Sequence, residues 1–344
     1  MSTTWLAVEP LDTIMVRDGR PFDAGAASSA RSAEPAPNTL GGVVRAAAGR
    51  DVRRIIGPLV QTPTGLVFPT PCDVVRDDRT VRRLTVTKRN FTARSDLDPD
   101  DGQRLRHHLV GEGEPVSEWI TRRGLTDWLT GDLAGGQELW PALLRADPGW
   151  VAESRLGLAR HWSGPLAGTA ASGLLYAMTQ LRPRDGTRFL VGCVDGEPVE
   201  IRDQLVPFGG RGRLAEVTVV TDPVLPARPD GFPGGRLAVY LATPALLTSM
   251  WWHPPEAELS ALAVPGPRPV PSATPGAGFA GSRLLAWAVP AGSVFFLTFG
   301  SAEAALDWAN QNHGGLLPHQ SEQRIVTAGF GTCLTGRWTW NDGC

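Results

Sequence analysis

The chain has 344 residues, of which 42 % are hydrophobic and 20 % are charged, and its formal net charge is −2. This length suits two domains of about 100–200 residues each, and the composition is typical of a globular protein. A net charge close to zero excludes a chain that binds nucleic acid over its whole surface, so any such site has to be local.

The first half is predicted to combine several strands with one long helix. Asn38 is a favourable N-cap, and apolar residues recur after it at helical spacing as far as Ile56, which predicts a helix over 39–56. Strands are predicted at 5–8, 13–16, 65–70, 172–180, 188–194 and 214–220.

Residues 76–150 are predicted to be an insertion in the first half. They are rich in Arg and Asp and have little alternation of apolar and polar residues. Helices are predicted within them around 103–110, 115–130 and 136–145.

The second half follows the Pro-rich segment 221–235. It is predicted to have helices at 244–252 and 301–313, a strand pair within 284–299, and a glycine loop at 327–332. Further strands are predicted at 236–242 and 333–338.

Both halves can be written strand–helix–strand–strand–helix–glycine loop–strand. This is the element order of a split-βαβ domain. We therefore predict an α+β protein with tandem ferredoxin-like (RRM-like, βαββαβ) domains, at 1–225 and 226–344, with a mainly helical insertion at about 76–150.

The cysteines and the apolar segments predict a cytoplasmic protein that has reduced thiols and does not enter a membrane. The four cysteines, Cys72, Cys193, Cys333 and Cys344, match neither a disulfide framework nor metal-ligand spacing. No basic and hydrophobic leader opens the sequence. The longest apolar stretch, 284–299, is interrupted by Pro-Ala-Gly-Ser and suits two strands better than a membrane span.

Signatures of catalysis are mostly missing. The only lysine, Lys88, does not follow a glycine, which excludes a P-loop. Residues 210–215 match G-x-G-x-x-A, but a strand rather than a helix is predicted after them, so we reject a dinucleotide site. We expect no catalytic residue, no cofactor and no metal.

Two glycine loops, at 209–213 and 329–331, resemble surfaces that bind RNA. Glycines let another backbone approach and expose successive N–H groups, and arginines or an aromatic ring add phosphate contacts or base stacking. A tight turn is the alternative interpretation of either loop. The candidate RNA-binding residues here are Gly209, Gly210, Arg211, Gly212, Arg213, Gly329, Phe330 and Gly331.

A third candidate region combines the turn "RDGRPF" at 17–22 with the predicted helix start. The N–H groups and the dipole of a glycine-lined first helical turn favour a phosphate. A turn closed by its own Asp–Arg pair and a closely packed helix explain the same residues equally well. The candidates are Arg17, Arg20, Phe22, Gly41, Gly42 and Arg45, and a charged hairpin at Lys88 and Arg89 adds two more.

In combination and order, several motifs resemble the third Cmr subunit of type III-B CRISPR effector complexes, a member of the RAMP superfamily. These motifs are "VRDGRPF…PNTLGGVVRAA", "ESRLGLAR…SGLLYAMTQLRP…FLVG", "PFGGRGRLAEV", "AVPAGSVFF" and "GFGTCLTGRW". The resemblance covers most of the chain outside 76–150 and 253–280. One difference is Arg211, where the family is expected to have a glutamate.

The resemblance implies tandem ferredoxin-like domains and a non-catalytic, cytoplasmic protein. It implies that the chain holds the 5′ handle of a CRISPR RNA, beside the large polymerase-palm subunit and the first backbone subunit, and contacts target RNA only indirectly. Two alternatives remain: a scaffold without RNA contact, and a RAMP endoribonuclease that would use His161 and Tyr176 as its acid–base pair.

Overall fold

The structure is a computed structural model of the chain. It describes residues 2–16, 30–77, 80–88, 107–131, 138–139, 144–145, 148–161, 163–210, 212–273, 283–321 and 323–341. Within these ranges, no helix has the length and apolar character that crossing a membrane requires.

The first half starts with one helix between strands. Its elements are β1 (Ser2–Pro10), β2 (Ala30–Arg31), α1 (Pro37–Ala48), β3 (Arg54–Thr62) and β4 (Gly65–Pro69). The prediction of one helix as far as Ile56 is wrong, because Gly49 adopts the left-handed conformation (φ 66°) and ends α1. The N-cap is Ala36 rather than Asn38, and Pro37 occupies the first helical position.

The insertion consists mainly of strands, so the prediction of a mainly helical insertion is wrong for its described residues. It has one described helix, which begins after Thr121, whose side chain accepts a hydrogen bond from the Gly124 N–H. Alternating Val and Thr residues at 80–88 favour β-structure. The elements are β5 (Val74–Asp77), β6 (Thr80–Arg83), β7 (Thr85–Lys88), β8 (His107–Val110), β9 (Glu114–Pro115), β10 (Trp119–Thr121), α2 (Arg122–Thr130), β11 (Glu138–Leu139) and β12 (Leu144–Arg145).

The first half is organised around an eight-stranded sheet. Its last strands are β13 (Trp150–Arg160), β14 (Ala170–Pro183), β15 (Arg188–Asp195), β16 (Leu205–Pro207) and β17 (Leu214–Val220). The sheet has the order β12-β10-β4-β3-β15-β1-β17-β16. Four neighbouring strands of this sheet, β3-β15-β1-β17, are antiparallel, and along the chain they are the second, third, first and fourth of the four. Helix α1 packs on one face of this sheet.

The second half repeats this strand order in a four-stranded sheet. Its elements are β18 (Arg236–Leu241), β19 (Ala257–Ala263), β20 (Arg268–Ala273), β21 (Arg283–Ala288), β22 (Val294–Phe299), α3 (Ala302–Asn312), α4 (Gln323–Val326), β23 (Cys333–Arg337) and β24 (Trp340–Asn341). The order β19-β22-β18-β23 is again second, third, first, fourth. Here the helix, α3, follows the third strand, whereas α1 follows the first. The α+β class is confirmed.

Two predictions in the second half need correction. No helix forms at 244–252, because the backbone of Ala245 bonds in both directions to Val289, at 2.9 and 2.8 Å. Strands do form within 284–299, but they pair with different partners, β21 with β20 and β22 with β18 and β19. The predicted helix at 301–313 is confirmed as α3, with the Ser301 hydroxyl accepting from the Ala304 N–H.

The two halves share a hydrophobic core. One cluster joins Trp5 and Phe68 of the first half to Tyr240 of the second, and all three side chains are buried. A hydrogen bond also joins the two halves, because the Tyr240 hydroxyl donates to the Pro69 carbonyl at 2.6 Å. Much of the apolar surface of each sheet is therefore buried against the other half.

A buried ion pair ties the insertion to the second half. Arg83 Nε donates to Asp73 Oδ2 at 2.6 Å, and Trp128 Nε1 donates to Asp73 Oδ1 at 3.1 Å. The Arg83 guanidinium lies 4.2 Å above the Trp128 ring and donates to the Arg337 carbonyl at 3.0 Å. Burial raises the pKa of Asp73, and the Arg83 charge opposes this.

Candidate nucleic-acid interface

The predicted "RDGRPF" turn belongs to a segment whose two ends are held together. Arg17, Arg20 and Phe22 lie outside the described residues, but both flanks are described. The Ala33 N–H donates to the Val16 carbonyl at 2.7 Å, and the Val16 N–H donates to Ser32 Oγ at 2.9 Å. The residues that flank this segment are therefore hydrogen-bonded to each other.

The first glycine loop packs against the strand that leads into this segment. The Gly210 N–H donates to the Met15 carbonyl at 2.8 Å. Gly209 has φ 79°, and a Cβ atom there would lie 2.6 Å from the same carbonyl oxygen. Only glycine fits this approach. Arg211 lies outside the described residues, whereas Gly212 is exposed with nothing within 4 Å of its Cβ position.

Arg213 is held inside a polar network. Its guanidinium forms an ion pair with Asp12 and donates to Gln180 Oε1 at 3.2 Å, and Thr13 Oγ1 also donates to Gln180. The side chain is only 20 % exposed. Arg213 therefore positions the loop. Sequence analysis did not find Asp12 and Gln180, because the network joins residues far apart in the chain.

The start of α1 differs from the prediction in its register. The helix begins at Pro37, so Gly41 and Gly42 belong to its second turn rather than its first. A Cβ atom at Gly41 would lie 3.2 Å from Ala328 Cβ, which shows close packing against the second glycine loop. Gly42 is exposed, and so is Arg45, which pairs with Asp51 at 3.3 Å.

The second glycine loop is packed inside the protein. Phe330 is 0 % exposed and belongs to an apolar cluster with Leu246. A Cβ atom at Gly329 would lie 2.1 Å from the Gly57 carbonyl oxygen, and one at Gly331 would lie within 2.5 Å of Gln320. The Phe330 ring has no free face for a base, so this loop serves the junction between the halves.

A cavity of about 590 Å³ lies between the halves, next to these elements. Val16 and Ala33, which lie on either side of the undescribed segment 17–29, line it together with Thr39 in the first turn of α1. Further lining comes from Trp119, Trp150, Thr243 and Arg268.

Aromatic rings and two charged side chains line the cavity. The Trp119 and Trp150 rings are 5.7 Å apart in an edge-to-face arrangement. The charged groups are Glu34 and Arg268, whose opposite charges attract each other.

The predicted charged hairpin is present as a strand pair. β7 and β8 pair antiparallel, with Lys88 opposite His107. Lys88 is exposed, and Arg89 lies outside the described residues, as does the rest of the connection at 89–106.

The described residues contain no group of three or more His, Cys, Asp or Glu side chains that could hold a metal ion. Cys72, Cys193 and Cys333 are free thiols. Burial raises the pKa of Cys193 to about 12, which keeps this thiol protonated at neutral pH.

The fold and the interface define an α+β protein with two antiparallel sheets of the same strand order and a cavity between them. The model of the family described as CRISPR-associated protein (Cas_Cmr3) matches residues 6–338. The chain therefore belongs to the Cas_Cmr3 family, which confirms the resemblance seen in its motifs.

Solved structures of similar fold are known. A chain in the cryo-EM structure of the type III-B Cmr-beta bound to cognate target RNA and AMPPnP is 14 % identical, with a TM-score of 0.55; the match covers 97 % of this chain and 99 % of that one. A chain in Cmr-beta bound to cognate target RNA is 14 % identical, with a TM-score of 0.53 and 96 % coverage of both chains. At this identity the likeness concerns the fold. No curated protein matches the chain.

Proposed function

We propose that this chain is a non-catalytic RNA-binding subunit of a cytoplasmic type III-B (Cmr) RNA-guided effector complex. It holds the 5′ handle of the CRISPR RNA beside the large polymerase-palm subunit and the first backbone subunit. Target RNA is reached only through the guide. We further propose that each half is a ferredoxin-like unit that has kept one of its two helices, since both sheets have the strand order of that unit.

One observation supports the RNA site above all others. Val16 and Ala33, which flank the segment carrying Arg17, Arg20 and Phe22 and are hydrogen-bonded to each other, both line the cavity between the halves, where α1 also starts. The Gly209–Gly210 turn is fastened to Met15, next to Val16. Elements that are far apart in sequence thus meet at one cleft.

The cleft suits single-stranded RNA. Splayed bases need aromatic or apolar walls, and phosphates need cations or helix N-termini. Trp119 and Trp150 supply the walls, and the first turn of α1, with the positive end of its dipole, lies beside them. Arginines of the 17–29 segment would neutralise the phosphates, with bidentate contacts that suit phosphate oxygens.

The proposal is tested by sequencing the small RNAs that co-purify with the tagged full-length chain from its own cells. We expect RNAs that share one 5′ tag, because a fixed cleft selects one RNA end. Fragments with random 5′ ends, or no RNA, would contradict it.

The geometry argues against the endoribonuclease alternative. Tyr176 lies opposite Gly157 in the β13–β14 hairpin, whereas His161 follows the last residue of β13. Four residues of strand separate these positions by roughly 13 Å, too far for one acid–base pair. The check is to incubate the protein with labelled repeat RNA without metal. Cleavage that His161→Ala abolishes would overturn the non-catalytic assignment.

A further inference from the structure

One face of the large sheet is only partly covered by the second half. Along β1, Trp5 and Ala7 point to this face and are buried in the core shared by the halves. Glu9 and Leu11 continue the same row but are exposed, and Leu11 is 54 % exposed. The second half therefore covers this face of the sheet as far as Ala7 but not at Glu9.

The uncovered end of this face carries a cluster of leucines. Leu214 and Leu205 are 41 % and 59 % exposed, and Leu11 adjoins them because its N–H donates to the Leu214 carbonyl. Pro207 pairs with Leu214 at the sheet edge. Single exposed apolar residues are ordinary, but three neighbouring leucines form a patch of the kind that marks protein contacts. We call it the leucine patch: Leu11, Leu205, Pro207 and Leu214.

Two carboxylates stand within this patch without a cation. Glu9 is directly opposite Glu216 across β1 and β17, and Leu205 is the next residue in that row. Both glutamates are exposed, and neither forms an ion pair with a side chain in the described part of the chain. Like charges in opposed positions destabilise a sheet. A cation bound between the two carboxylates would therefore remove their electrostatic repulsion.

We propose that the leucine patch docks a segment of another protein subunit, in which an arginine or lysine lies between apolar side chains. The basic group sits between Glu9 and Glu216, and the apolar groups cover Leu11, Leu205 and Leu214. RNA does not suit this face, because two carboxylates repel phosphates. The inference rests on the proposed function only in that it expects the chain to have protein partners.

Site-specific photo-cross-linking tests the docking in the complex purified through this chain. A photoreactive phenylalanine analogue replaces Leu205, and a matched sample carries it at Leu166, which is 57 % exposed in the β13–β14 connection. We expect the Leu205 probe to cross-link a peptide of a different subunit that contains Arg or Lys. A cross-link to RNA, a cross-link to a second copy of this chain, or none at all would overturn the proposal.

Charge reversal provides an independent readout. Glu9→Arg combined with Glu216→Arg should lower the recovery of the cross-linked subunit by about tenfold or more, because like charges across an interface are strongly disfavoured. Glu197→Arg, an exposed change elsewhere, is the control. Unchanged recovery in the double variant would contradict the docking. Since guide RNA is quantified in the same samples, loss of a subunit is distinguished from failure of the RNA proposal.

Discussion

The two glycine loops of this protein have similar sequences but different surroundings. In the first, Gly212 is exposed with open space around it, and Gly209 and Gly210 contact the backbone of Met15. In the second, Phe330 is buried in an apolar cluster of the second half, and Gly329 is buried against Gly57 of the first half. The first loop borders the proposed RNA cleft, and the second fastens the two halves.

This difference shows which structural conclusion can be drawn from a glycine-rich sequence and which cannot. A glycine with positive φ and a close neighbour marks a place where backbone approaches backbone. The pattern does not say whether the neighbour is a ligand or the chain itself. We therefore expect changes at the junction to lower stability and changes at the cleft to lower RNA retention.

The largest effect is expected at the buried ion pair of the junction. Arg83→Met leaves the Asp73 carboxylate buried without its cation, which should lower the free energy of unfolding by about 3–5 kcal/mol in urea titrations. The neighbouring Arg82→Met removes a surface pair with Asp77 and should cost at most about 1 kcal/mol. Equal effects of the two variants would contradict the structural role of the buried pair.

The second prediction compares the glycine loops directly. In Gly329→Ala the new methyl group would collide with the Gly57 carbonyl oxygen, and the residue would have to keep the φ of 109° that Gly329 adopts. The substitution should cost roughly 3 kcal/mol or more, since a positive φ costs about 1–2 kcal/mol and overpacking adds a similar amount. Gly212→Ala has φ 68° but open space, so about 1 kcal/mol is expected. Calorimetric unfolding measures both, and a reversed order would refute the contrast.

A smaller effect is expected from pH at His313, also in the second half. Its Nδ1 accepts from the Thr335 N–H, its Nε2 donates to the Pro226 carbonyl, and burial lowers its pKa from 6.5 to about 4. Because the folded pKa is the lower one, the stabilisation is present above about pH 6.5 and is lost as the pH falls towards 4. At about pH 5 the loss is about 2 kcal/mol.

The free energy of unfolding, measured by urea titration at about pH 7 and about pH 5, tests the loss of stability expected from His313. His313→Gln should remove that part of the pH dependence, whereas the exposed His253→Gln should not. If the pH dependence is the same in His313→Gln as in the native chain, the assignment is wrong.

Local sequence patterns predicted elements that depend on local interactions. The helix predicted at 301–313, with Glu303 in its first turn, forms as α3, and the β-branched run at 214–220 predicted β17. The patterns failed where partners are distant: Ala245 bonds to Val289 instead of forming a helix, and Val and Thr residues of the insertion form strands.

The same contrast between local and distant interactions explains which parts of the candidate site were predicted from the sequence. The first glycine loop and α1 were predicted from their residues, but the cavity that α1 and Val16 line together was not. Arg213 looked like a phosphate ligand because its partner Asp12 lies about two hundred residues away in sequence. The burial of Phe330 likewise depends on residues distant in sequence, such as Leu246 and Val270.

The most direct test of the RNA cleft is the amount of guide RNA that the assembled complex retains. Arg17→Ala with Arg20→Ala should lose most of the RNA while the subunits stay together, because the phosphates lose their cations. Arg122→Ala with Arg123→Ala, an equal charge change on the exposed start of α2, should retain it. So should Phe330→Leu, which alters only the junction. Equal retention in both double variants, or loss confined to Phe330→Leu, would contradict the assignment of the cleft.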